Sequence, residues 1–153
     1  MKHLLFILIV TAFCCTKVIA QERTTTKQHP IDLKQQACLD SSENQSTAGM
    51  VDCAGRAIEA WDKELNKYYK LLMTILSPDE KARLKAAQKN WLAYRDAELL
   101  FMRTTYANLD GTMWRIVAVN RQAEIVKQRA MELTDYYETL KENKLPPQKS
   151  KGK

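Results

Sequence analysis

Histidine is nearly absent from this chain of 153 residues, which has two, at positions 3 and 29. A Ser-His-Asp triad, a Cys-His nucleophile and a His-bearing zinc site all need an imidazole on a folded element. His29 lies in a polar stretch beside Pro30, and His3 lies in an apolar leader, so neither suits such chemistry. Glycine is scarce as well, four residues in all, and neither a G-x-G-x-x-G element nor a P-loop occurs. No alternating strand pattern and no Asn-Gly hairpin signal is present. Together these absences exclude a nucleotide-binding α/β domain and point to an all-helical protein. Catalysis by an acid pair, as in glycoside hydrolysis, is the enzymatic route left. No spacing marks such a pair, so no catalytic residue, metal ligand or cofactor is assigned.

Long apolar runs are also missing, with one exception at the N-terminus. Residues 1–20 carry Lys2 and no acid, then an apolar run over residues 4–10 continued by Ala12, Phe13, Cys14 and Cys15, and end in Val18-Ile19-Ala20. This pattern reads as a secretory signal peptide cleaved after Ala20, with the protein periplasmic or secreted. No other stretch approaches the roughly 18–20 apolar residues of a membrane helix, so membrane insertion is not expected. Phe13 stands where lipoprotein processing at Cys14 wants a small residue, which argues against a lipid anchor.

The formal charge of +6, from 24 basic and 18 acidic side chains, shifts once the leader is set aside. From Lys141 onward the chain holds five lysines and one glutamate, whereas residues 21–140 balance at 17 against 17. The basic surplus thus belongs to a Pro-, Gly- and Lys-rich tail, residues 142–153, that reads as a solvated, disordered terminus. It is not taken as a nucleic-acid-binding element. Beyond the leader, Cys38 and Cys53 remain as an even pair in an oxidising compartment. A disulfide between them closes a loop worth about 3 kcal/mol in the chain-entropy picture.

Residues 21–30 read as a disordered lead and residues 31–141 as the folded domain. A short amphipathic helix is expected over residues 31–39. Apolar side chains at 50, 54, 58, 61, 65, 68, 72 and 75 then form one helical stripe, predicting a helix over residues 47–76 capped by Ser46 or Thr47. Ser77-Pro78-Asp79-Glu80 combines a Ser-x-x-Glu capping box with proline at the first helical position. The next stripe is Leu84, Ala87, Trp91, Tyr94, Glu98 and Phe101, ending near the turn residues 108–111. Thr112 is expected to cap a last helix striped by Ile116, Val119, Ala123, Val126, Ala130, Leu133, Tyr137 and Leu140, with Pro146-Pro147 barring continuation. The expected fold is a small all-α bundle: three long antiparallel helices plus a short N-terminal helix clipped by the disulfide.

Polar residues beside these stripes form the candidate site. Asp62 and Asn66 flank Trp61, Leu65 and Tyr69, while Gln88 and Arg95 flank Trp91 and Tyr94. In an antiparallel hairpin turning at Ser77, positions equidistant from the turn face each other, which pairs Asp62 with Arg95 and Asn66 with Gln88. One reading is a polar lock that fixes helix register. The other is a groove that contacts a ligand. Trp61, Trp91 and Trp114, at helical spacing, read as core aromatics before they read as a ligand-stacking set.

The elements Cys38…Ser46-Thr47-Ala48-Gly49-Met50…Cys53, D-x-x-L-N over residues 62–66, and A-Q-x-x-W-x-x-Y-R-D over residues 87–96 resemble the LprI-like lysozyme-inhibitor domain family. The resemblance extends from Cys38 to Leu133 and includes Asp96, the Asp110-Gly111-Thr112 turn and Arg129. It implies a disulfide-clipped helical protein of the bacterial envelope, with a lysozyme-type enzyme as partner and no catalysis of its own. The alternatives it leaves are an envelope interaction module without an enzyme target and an immunity-type antidote to a wall-degrading toxin. Many members carry a further cysteine after the R-D-x-E element; here that place is Leu99, and the last helix has no cysteine. For an inhibitor, the segments over residues 43–50 and 108–112 are the candidate contact loops, because a rigid scaffold presents them.

Overall fold

A computed structural model describes residues 28–144 as four α-helices: α1 (Pro30–Asp40), α2 (Thr47–Ile75), α3 (Pro78–Tyr106) and α4 (Met113–Lys144). A single 3₁₀ turn, Ser42–Asn44, links α1 to α2. The signal peptide and most of the lead and tail expected from the sequence lie outside the described residues. Among the described residues, no helix is long and apolar enough to cross a membrane.

Local chemistry sets the helix ends. The Ser46 hydroxyl accepts from the Gly49 N–H at 3.1 Å to cap α2. Ser77 and Glu80 form the reciprocal capping box of α3, with the Ser77 N–H donating to Glu80 Oε2 at 2.9 Å. Two amides close α1 from outside: Asn44 Nδ2 donates to the Cys38 carbonyl and Gln45 Nε2 to that of Leu39, satisfying acceptors a helix C-terminus leaves unpaired. Gly49 is needed beneath this turn, because a Cβ there would come within 2.6 Å of the Asn44 Cα. Thr112 departs from expectation: its hydroxyl meets the Thr47 hydroxyl at 3.1 Å, and it makes no side-chain cap on α4.

The core lies between α2 and α4. Ala57, Trp61, Leu65 and Leu72 pack with Val126, Ala130 and Leu133, and Trp61 is only 1% exposed. The two helices run parallel, their N-termini joined at Thr47 and Thr112 and Tyr68 packing edge-on against Tyr137 further along. In an up-down-up bundle, sequence neighbours are antiparallel, yet here the closest partners are the first and third long helices. Helix α3 returns the chain, meets α4, and makes few contacts with α2.

Helix α1 roofs the core at Trp61. Ile31 packs against the cluster, and the Asp32 carboxylate accepts from the Lys127 ammonium of α4 at 2.8 Å. His29, at the end of the expected lead, packs onto the fold. Its Nδ1 accepts from the Ile31 N–H, and its ring stacks on Trp61 with centroids 4.4 Å apart. Stacking on a buried indole is the reason this end of the lead is ordered. At the other terminus α4 runs through Lys144, into the segment expected to be tail. There the Lys144 ammonium donates to Glu80, tying the end of α4 to the start of α3.

That pair shapes the acid response. The Lys144 ammonium, helped by the Ser77 N–H and hydroxyl, holds the Glu80 carboxyl at about 2, below its ordinary 4.5. A carboxyl with a lowered folded-state pKa stabilises above its unfolded value and loses that contribution as pH falls toward the folded one. Glu80→Gln is therefore expected to flatten the loss of stability between pH 4.5 and about 2, measured by thermal unfolding at each pH. An acid limb as steep as wild type would refute the linkage.

Candidate functional site

The inward face of α3 is rotated from the stripe the apolar residues suggested. Tyr94 and Phe101 point outward and are more than half exposed, while Leu84, Gln88, Trp91, Arg95, Leu99 and Met102 face the bundle at steps of four and three. The polar Gln88 and Arg95 are thus members of the inward stripe. Partners on α4 explain the rotation: Arg129, 8% exposed, donates from Nε to Gln88 Oε1 at 3.0 Å and from Nη1 to Glu132 at 2.9 Å. A buried guanidinium requires acceptors, and turning Gln88 inward supplies one. The Nη2 of Arg129 is also buried and meets no acceptor among the described residues.

The expected pairs across the α2–α3 hairpin do not form. Asp62 accepts from Asn66 Nδ2 on its own helix at 2.9 Å, and Arg95 donates twice to Asp96, its neighbour in sequence, at 2.8 and 3.0 Å. Gln88 turns to Arg129 rather than to Asn66. The reason is the wide separation of α2 and α3, which leaves an open cleft of about 550 Å³ where a tight lock was expected. Asp62, Arg95 and Asp96 line this cleft together with Glu59, Lys63 and Arg103, over a floor that includes Leu99 and Val126. Trp91 borders the same region, with the Arg95 guanidinium 5.3 Å from its ring. Arg129, the residue that holds α3 to α4, lies outside the polar pairs that helical spacing suggests. Its signal was a lone arginine three residues from Val126 and four from Leu133, on the edge of an apolar stripe.

The two candidate loops meet at one end of the bundle. Cys38 and Cys53 form the disulfide, their Cα atoms 5.8 Å apart, which ties the segment before α2 to that helix. The Thr47–Thr112 contact then sets this segment against the α3–α4 turn. In that turn Gly111 adopts φ +93°, a conformation that favours glycine. The Trp114 indole N–H donates to the Asp110 carbonyl at 3.0 Å, and its ring packs on Tyr106 at 5.8 Å. Trp114 therefore stands in the wall of a second cleft of about 420 Å³, not in the core; Met102, Arg103, Tyr106, Leu109 and Arg115 share that wall. Of the three tryptophans, Trp61 is buried and Trp91 flanks the core.

With this geometry in view, the comparisons with known proteins are decisive for kinship. The family described as lysozyme inhibitor LprI matches residues 38–133, from the first disulfide cysteine to the core residue Leu133. The chain belongs to that family. Of the solved structures, a crystal structure of an uncharacterized protein from Burkholderia thailandensis is similar with a TM-score of 0.69 at 28% identity, over 72% of this chain and 54% of that one. This LprI-family chain thus spans about half the length of that solved protein. No curated protein matches it.

The polar contacts predict an order of sensitivity within the LprI domain. Gln88→Leu strips Arg129 Nε of its acceptor inside the fold and is expected to cost about 1–3 kcal/mol in urea unfolding. Asp62→Ala, which removes a contact within one exposed helix turn, is expected to stay within about 0.5 kcal/mol of wild type. The reverse ranking would restore the cross-hairpin lock.

Proposed function

We propose that this chain is an exported, periplasmic or secreted inhibitor of lysozyme-type muramidases that binds the enzyme and carries out no reaction itself. The observation that carries this reading is the match of residues 38–133 to the lysozyme inhibitor family. The disulfide supports a location outside the cytoplasm, where such bonds persist. The N-terminal leader, with its small residue at position 20, supports export. The folded part is close to electrically neutral. Attraction to a cleft lined by two carboxylates therefore rests on a local group of side chains and not on a net field.

One specific observation favours a second reading. Tyr94, Leu100 and Phe101 of α3 are large apolar side chains left exposed. Such a face suits an interaction module of the cell envelope that binds another protein without blocking an enzyme.

Lysis of cell-wall suspensions by several lysozyme types, with and without the purified oxidised protein, separates the two. The inhibitor reading expects slower lysis with at least one type, and a weaker effect after reduction of Cys38–Cys53. Unchanged lysis with every type would remove it.

A further inference from the structure

We infer that the α3–α4 end of the bundle is the face that enters the muramidase cleft, with Arg103 and Arg115 meeting its carboxylates and Tyr106, Leu109, Met113 and Trp114 forming the apolar contact around them. The inference rests on the inhibitor reading above and adds to it where the enzyme is held.

Charge is the first argument. Arg56, Arg83, Arg95 and Arg129 each have a carboxylate partner within the chain. Arg103, Arg115 and Arg121 form no ion pair among the described residues, and of these Arg103 and Arg115 line the 420 Å³ cleft at this end. Asp110 lies in the same turn and pairs with neither. Two unpaired guanidiniums, one from α3 and one from α4, complement a site whose own chemistry requires a pair of acids.

Composition and shape point the same way. Tyrosine, tryptophan, arginine and methionine are the residues enriched at the energetic centres of protein interfaces. Leu109 is 42% and Met113 60% exposed, so both protrude past the cleft instead of closing over a small molecule. A macromolecular surface is what buries side chains so placed.

Rigidity is the third argument. The turn is pinned by the Trp114–Asp110 bond, by Asn108 Nδ2 donating to the Thr104 carbonyl at 2.8 Å, and by the Thr47–Thr112 contact to the disulfide-tied segment. A preorganised contact surface loses little conformational entropy on binding. At the opposite end of the bundle, Glu80 and Lys144 pair with each other.

The experiment compares wild type, the double variant Arg103→Glu/Arg115→Glu, the single variant Met113→Asp, and a charge-matched control, Lys85→Glu/Lys89→Glu. Each is titrated calorimetrically against a purified lysozyme that the wild type inhibits, without cell walls present, and assayed for inhibition. All five substituted positions are exposed, so thermal unfolding is expected to match wild type. The double variant is expected to bind at least about tenfold more weakly and Met113→Asp severalfold more weakly, while the control binds as wild type does and rising salt weakens the wild type. Undiminished binding by the double variant would place the contact elsewhere and leave the inhibitor reading standing. A double variant that keeps its affinity for enzyme but no longer sediments with cell walls would also overturn the inference, because the arginines would then serve the substrate. A wild type that neither binds nor inhibits any lysozyme would overturn both.

Discussion

The buried seam between α2 and α4 is the constraint on which the rest of this molecule depends. Trp61 sits near its middle, with Leu65 and Leu72 on one helix and Val126, Ala130 and Leu133 on the other. Alanines at 57 and 130 let the two helices approach closely around the large indole. Because the seam joins the first and third long helices, it orders two termini at once. The N-termini of α2 and α4 are brought together, so the disulfide-tied segment and the α3–α4 turn share one surface. Helix α1 then lies across Trp61, where His29 stacks and Lys127 reaches both the indole and Asp32.

Helix α3 is held differently. Met102 is its sole buried residue, and its inward face mixes apolar side chains with Gln88 and Arg95. Its attachment to α4 runs through Arg129, whose buried charge is compensated by Gln88 and Glu132. A polar attachment fixes orientation more than it adds stability, since desolvating a guanidinium offsets much of what its partners return. The open cleft beside α2, and the exposed Tyr94, Leu100 and Phe101, follow from a helix anchored along one edge.

Kinship with lysozyme inhibitors gives these features a setting. The Cys38–Cys53 disulfide is the clasp that holds the segment before α2. Leu99 lines the floor of the α2–α3 cleft as an apolar side chain. The solved Burkholderia protein is nearly twice as long as the part it shares with this chain.

Much of this was legible in the sequence, because it depends on contacts between near neighbours. Helix starts at Thr47 and Pro78, the Ser77–Glu80 box, the disulfide, the all-α class and the family all follow from spacings within a few turns of chain or from one compact motif. What the tertiary structure decided concerns residues far apart. The stripe on α3 was misplaced because apolar periodicity cannot weigh a buried arginine on another helix, and Gln88 faces inward only because Arg129 is there. The Asp62–Arg95 pairing failed because connection length alone does not say whether α2 packs on the next helix or on the one after. His29 gained order from Trp61, and Thr112 gave up its cap for Thr47, both through contacts that exist only once the helices are packed. The sequence by itself determined which helices form; the choice of which pairs share a core, set by the fit of large and small side chains on α2 and α4, belonged to the packed structure alone.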